Sequence, residues 1–354
     1  MHIVITGGAG FLGARLAKCL LAKGQLALNG AQPQPIETIT LIDRVTAPPE
    51  LALDSRIKSM VGDLNQLLEP KAATNTATHT AEAQAIIAQA AIIFHLAAAV
   101  SGECEADFDL GMRSNVDATR ALLEVCRGQG NCPTVVFASS LAVFGNSAAQ
   151  PLPAVIDDRT LPTPQNSYGI QKFIGEQLVA DYGRKGFICA RNVRLMTVSV
   201  RPGKPNGAAS SFLSGIIREP LAGLRAACPV PPETPVALSS PSRTIAGLIR
   251  AAETSDADWG ARTAVNLPAL TTTVGAMASA LGKLGGQAAF NLIDWTPDPA
   301  IANIVTSWPA VIDAARARAL GLLPDPDFES IVHEYMQEQL MEKTSENPRI
   351  GSAT

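Results

Sequence analysis

Thr6-Gly7-Gly8-Ala9-Gly10-Phe11-Leu12-Gly13 follows the strand-like run His2–Thr6 and opens the helical pattern Leu12–Ala22. Glycines at such a junction let the chain turn tightly and let its backbone approach a pyrophosphate, which then rests on free N–H groups at the helix N-terminus. A glycine-rich turn alone is weak evidence. Between one strand and one amphipathic helix at the head of a chain it becomes a dinucleotide fingerprint. The spacing fits both GxGxxG (Gly8, Gly10, Gly13) and GxxGxxG (Gly7, Gly10, Gly13), and Phe11 and Leu12 fall inside the same cradle.

Working outward, β-branched runs alternate with helical ones. His2–Thr6, Thr38–Asp43, Ile57–Val61, Ile92–Leu96, Thr134–Ser139 and Ile188–Val193 read as strands; Ala81–Gln89, Phe108–Arg127 and Tyr168–Gly183 read as helices. This alternation predicts an α/β fold, a Rossmann doubly wound parallel sheet covered on both faces. Gln25–Pro35 and Pro151–Pro164 read as loops. After Arg201 eight prolines between Pro202 and Pro241 break the rhythm. The expected organisation is a NAD-binding domain over 1–200 with a returning segment near 236–265. A smaller C-terminal substrate lobe takes 201–235 and 266–342, and 343–354 form a flexible tail. Within that lobe Ser210–Arg218 and Val274–Leu284 read as helices and Ala264–Leu267 as a strand.

The 354 residues are 47% hydrophobic and 17% charged, a composition that supports a large core. With a formal net charge of −4 and no basic cluster, nucleic acid is not an expected partner. The six cysteines form no CxxC pair and read as free thiols rather than a metal or disulfide framework. The apolar stretch Ala83–Val100 carries Gln84, Gln89 and His95, so helix then strand explains it better than a membrane span. No signal peptide is expected, and the protein is expected in the cytoplasm.

Asp43 ends the second strand, where a carboxylate accepts hydrogen bonds from the ribose hydroxyls and repels a 2′-phosphate. That favours NAD over NADP, with Arg44 beside it as the counter-argument and a simple turn cap as the plain alternative. Asp63 and Leu64, after the third strand, are placed to reach the adenine. Tyr168 and Lys172 lie i, i+4 on one helix face. The lysine charge is expected to lower the tyrosine pKa, so that the phenol exchanges a proton while hydride moves to or from the cofactor. Ser140, at the end of the fifth strand, hydrogen-bonds the substrate oxygen.

With these residues together, the chain resembles the extended short-chain dehydrogenase/reductase family. The glycine turn, His95-Leu96-Ala97-Ala98, Asn115, Ser139-Ser140-Leu141-Ala142-Val143-Phe144-Gly145 and Tyr168-x-x-x-Lys172 carry the likeness. The resemblance implies Ser140, Tyr168 and Lys172 as catalytic residues and Asn115 as support for the proton relay. Leu96, Ala97 and Ser139 would line the nicotinamide side. Phe144 and Met196 stand where many members have tyrosine and proline. His95 is read as structural.

In the dehydratases of that family an Asp-Glu pair follows the catalytic hydroxyl; here Leu141 and Ala142 stand there, and neither can move a proton. Val200–Asn206, Ala208–Phe212 and Gly215–Leu221, with Ala99–Glu103 and Ser239–Arg243, are similar to the bacterial D-erythronate dehydrogenases. The resemblance implies NAD-dependent oxidation of a small sugar acid at C2. Arg243, where epimerase relatives hold a nucleotide phosphate, would anchor the carboxylate, and Ser101, Ser140, Tyr168 and Ser210 would meet the hydroxyls. Arg201, Lys204 and Arg218 are read first as structural or solvated. The alternatives are a nucleotide-sugar 4-epimerase with retained NAD and a non-catalytic NAD sensor. Apolar positions on two helices (Met112, Val116, Leu123; Ile170, Ile174, Leu178) point to a homodimer, as in the family.

Overall fold

The computed structural model describes residues 1–68, 77–205 and 207–346. Asn206, in one of the segments quoted above, and 347–354, the outer part of the expected tail, lie outside them. Seven parallel strands make the main sheet: β1 (His2–Thr6), β2 (Thr38–Asp43), β3 (Ile57–Val61), β4 (Ile92–His95), β5 (Thr134–Ser140), β6 (Cys189–Leu195) and β7 (Val265–Asn266). Their order is β7-β6-β5-β4-β1-β2-β3, so the strand order reverses between β1 and β4. A crevice opens at that reversal, outside the carboxyl ends of the strands.

Alternation along β1 explains both packed faces. Ile3 and Ile5 join a core with Leu16, Leu20, Leu248 and Ala251. Val4 points the other way, into a core with Ile87, Leu122, Phe137 and Val179. Helix Phe11–Lys23 closes one face, and Ala118–Gln129 with Ser167–Arg184 closes the other. A third core, around Leu213, Ile216, Leu281 and Val332, holds the second lobe. There Thr197–Val198, Pro235–Ser239 and Leu270–Thr273 form a three-stranded sheet, and Ala226–Cys228 pairs in parallel with Ile293–Trp295.

Several elements depart from expectation. Gln25–Leu26 and Gln34–Pro35 form a small antiparallel pair rather than a plain loop, because Leu26 is drawn fully into the core. The loop Pro151–Pro164 is stitched down at Ile156, which is fully buried and bridges to Ile312. Helix Pro241–Glu253 replaces part of the expected proline-broken stretch: Ser240 Oγ accepts from the Arg243 N–H at 3.1 Å, and Pro241 occupies the first turn, where its missing N–H costs nothing. The last helix, Phe328–Glu346, runs through the start of the expected tail. All six cysteines are free, three of them buried, and no described helix is long and apolar enough to cross a membrane.

Candidate active site

Two cavities, of about 290 and 350 Å³, run along the carboxyl ends of the strands and share Gly7, Gly10, Leu96 and Ala98. They form one cleft that passes over the glycine turn. The β1–β4 register sets Thr6 beside His95, which aligns this turn with the loop Leu96–Val100.

The turn is shaped to keep side chains out. Gly7 has φ +71°, and a Cβ there would lie 2.8 Å from the Ala97 nitrogen; a Cβ on Gly13 would lie 2.2 Å from the Gly7 carbonyl oxygen. Helix Phe11–Lys23 starts at Gly10 without a side-chain cap. The cradle therefore offers close backbone and a helix N-terminus, which is what a pyrophosphate requires. The residues present fit a dinucleotide.

In the larger cavity Asp43 Oδ2 accepts from the Ala9 N–H at 3.0 Å and Oδ1 from the Arg44 N–H at 2.7 Å. Asp43 thus braces the glycine turn and keeps lone pairs for a ribose. The Arg44 guanidinium is spent on Asp63 at 2.7 Å, which weakens its claim on a 2′-phosphate. Asp63 and Leu64 line this cavity with Ala97 and Glu103.

Ser139, Ser140, Tyr168 and Lys172 meet in the smaller cavity with Leu96, Phe11 and Leu12. Asn166 caps helix Ser167–Arg184, its Oδ1 accepting from the Gly169 N–H at 2.8 Å, and this sets Tyr168 in the first turn and Lys172 in the second, beside β5. The Ser140 hydroxyl lies near enough to the Tyr168 phenol to favour its ionised form. Burial pushes that phenol up to about 12, against the pull of Ser140 and Arg201. The expected lowering by Lys172 is not found: Nζ donates to the Ala138 carbonyl at 2.9 Å and stands 5.7 Å from the Tyr168 ring centre. Burial brings Lys172 itself down to about 8. Behind the site the Ser139 hydroxyl donates to Glu176 at 2.5 Å, and Glu176 pairs with buried Arg194 at 2.8 Å.

Asn115 sits on a π-wound turn, Met112–Asp117, within the expected helix. Its Oδ1 accepts from the Ala99 N–H at 2.8 Å and its Nδ2 donates to Gln171 Oε1 at 2.8 Å. It ties the Leu96–Val100 loop to the catalytic helix without touching Lys172. His95 forms one run of hydrogen bonds with Thr6 (2.6 Å) and Thr119 (2.9 Å). The Thr119 hydroxyl donates to the Asn115 carbonyl, so the proton of the imidazole is on Nε2. Burial, helped by the Lys172 charge, brings His95 down to about 3.

Of the other candidates, Ser101 and Ser210 line the smaller cavity. Arg243 is not brought there. It is exposed on helix Pro241–Glu253 and borders a separate cavity of about 100 Å³ with Leu267 and Leu323. Two further polar residues line the smaller cavity of the cleft, one of them weighed only second in the sequence and one without any sequence signal. Arg201, read first as structural, follows the short strand that prolongs β6, and such a strand end at the crevice was the available signal. Trp308 enters from a segment without any motif; its indole N–H is buried with no partner.

The sequence model of the NAD dependent epimerase/dehydratase family matches residues 3–235. The D-erythronate dehydrogenase of Cupriavidus necator is 48% identical over 338 residues, 96% of this chain and 98% of that one. That of Haemophilus influenzae is 41% identical, over 95% and 99% of the two chains. The solved nucleoside-diphosphate-sugar epimerase from Agrobacterium tumefaciens superposes with a TM-score of 0.82 at 39% identity, covering 96% of this chain and 94% of that chain.

Proposed function

The chain belongs to the NAD dependent epimerase/dehydratase family, and from that premise we propose that it oxidises the C2 hydroxyl of D-erythronate to 2-dehydro-D-erythronate with NAD. The observation that carries the reading is the meeting of Ser140, Tyr168 and Lys172 in a cavity continuous with the glycine cradle. Gly7, Gly10, Phe11, Leu12 and Gly13 hold the pyrophosphate, Asp43 the ribose, Asp63 and Leu64 the adenine side. Leu96, Ala97 and Ser139 border the nicotinamide end. Bound along this cleft, NAD supplies the acceptor for the hydride that leaves C2.

As the phenolate, its own proton having passed to solvent before the step, Tyr168 takes the proton of the C2 hydroxyl, and Ser140 holds that oxygen as charge develops on it. The ligand-free phenol stands at about 12, so proton transfer draws on the nearby Ser140 hydroxyl and on the positive charge gathered around the loaded site. Arg201 supplies part of that charge, while Lys172 is held on the Ala138 carbonyl. Asn115 acts through position, by fixing Ala99 and Gln171. Leu141 and Ala142 are buried and apolar, which leaves no group for an elimination. The small-acid substrate is supported by two relatives of that name spanning nearly the whole chain.

Incubation with NAD and D-erythronate tests this: NADH and 2-oxo acid should appear one to one. Interconversion of UDP-hexoses without net NADH would instead support the epimerase reading, and no turnover of any four- or five-carbon aldonate would overturn the proposal.

The same reading takes residues 1–200 and 236–265 as the cofactor part and 201–235 with 266–342 as the substrate part. It also includes a cytoplasmic homodimer. Phe108 and Ile170, 62% and 46% exposed, give the two helices an unpartnered apolar face, whereas Leu123 is spent in the core. Sedimentation showing only monomer at micromolar concentration would remove the dimer.

A further inference from the structure

We infer that Arg201, not Arg243, recognises the substrate's carboxylate and thereby selects an acid oxidised at the carbon next to that group. The inference rests on the dehydrogenase reading and deepens it.

A buried guanidinium normally comes with a carboxylate, because an unpaired charge out of water is costly. The buried arginines among the described residues obey this: Arg194 has Glu176, Arg191 has Asp256 and Arg218 has Glu219. Arg201, half-buried in the cavity wall, departs from the pattern. It lines the cavity beside Tyr168, its side chain bonds to Ser210 Oγ at 3.3 Å, and no carboxylate pairs with it among the described residues. The neighbouring groups hold it there. Ser214 Oγ accepts from the Arg201 N–H at 3.0 Å, and Arg218 Nη1 donates to the Arg201 carbonyl at 2.7 Å. Arg218 and Glu219 thus fix the backbone and leave the Arg201 fork, held by Ser210 at Nη2 alone, open to a carboxylate.

The placement also favours one reacting carbon. Tyr168 and Arg201 stand close enough to feel each other's charge. They share about 290 Å³ that must also admit the nicotinamide end. A short acid gripped at C1 therefore presents its C2 hydroxyl to Tyr168, since one bond separates the two carbons. The buried, unpartnered Trp308 N–H in the same wall favours the same kind of ligand, one rich in acceptor oxygens.

The test compares wild type, Arg201→Met and Arg201→Lys with D-erythronate and with its neutral amide. Truncating one partner of a buried charge pair is strongly costly, so Arg201→Met should raise KM for the acid about 100-fold or more. NADH affinity and KM for the amide should stay within threefold, and Arg201→Lys should recover part of the loss. An unchanged acid-over-amide preference in Arg201→Met overturns the inference. If wild type oxidises D-erythronate while Arg201→Met is indifferent, only the anchor fails; if wild type oxidises no aldonate, the dehydrogenase reading fails. A readout without turnover stands beside these: D-erythronate should raise the melting temperature of the wild-type NADH complex and its amide should not. Equal stabilisation by acid and amide also overturns the inference, even if the methionine variant does not fold.

Discussion

Replacing Gly13 with alanine should disable NAD binding while leaving the fold in place. The added Cβ would stand 2.2 Å from the Gly7 oxygen and 2.7 Å from the Gly8 Cα, and real Cβ atoms essentially never come closer than 3.0 Å. Neither obstacle can swing aside, because both are main chain. The Gly7 oxygen also accepts the Gly10 N–H at 3.2 Å. The turn must open by close to 1 Å, enough to ruin hydrogen bonds whose useful range is a few tenths of an ångström. Losing two charge-assisted bonds to the pyrophosphate, at about 1.5 kcal/mol each, weakens binding by ~3 kcal/mol, or about 100-fold. NADH fluorescence titration measures this directly. Gly128→Ala serves as the control, since nothing lies within 4 Å of a Cβ there and the site is in the last turn of helix Ala118–Gln129; it should bind NADH normally and gain up to about 0.5 kcal/mol of stability. An alanine at position 13 with wild-type NADH affinity would refute the account of the cradle.

His95 stands at about 3 when folded and near 6.5 when unfolded, so its neutral form contributes stability that is complete above pH 6.5 and is lost as pH falls toward 3. The slope is up to about 1.4 kcal/mol per pH unit; denaturant unfolding at pH 7 and 5 should show a shallower acid loss in His95→Gln, and equal slopes would contradict it. Asp43→Asn should weaken NAD at least tenfold by loosening the Ala9 brace and removing the ribose acceptor, while NADP loses less, a change in ratio that steady-state kinetics with both cofactors reads. Glu176→Gln leaves Arg194 buried without its counter-charge; unfolding should show a loss of about 3–5 kcal/mol, and a change below 1 kcal/mol would mean that water already reaches the pair.

The glycine turn, the strands of the main sheet and the Tyr168–Lys172 pair were legible because each depends on local pattern: period, spacing and a glycine where a Cβ cannot fit. Asp43 was legible for the same reason, at a strand end one turn from the cradle. Arg201 and Arg243 were not separable this way. Both are arginines beside proline-rich runs, and only the third dimension shows that helix Pro241–Glu253 carries Arg243 outward while the extension of β6 carries Arg201 into the cavity. The ligand-free Tyr168 phenol is not legible from the i, i+4 spacing, which says nothing of burial, and without cofactor burial outweighs the nearby charges. Trp308 carries no sequence signal, since the chain returns to the cleft there through a segment outside every quoted motif.

The central claim is that Tyr168 removes a proton from oxygen while C2 gives its hydride to NAD. It is tested most directly with D-erythronate carrying deuterium at C2. The account predicts one deuterium in the reduced nicotinamide per turnover, none in water, and no transfer in Tyr168→Phe despite normal NADH binding. Label returned to the substrate or lost to solvent, or transfer at the wild-type rate in Tyr168→Phe, would contradict it.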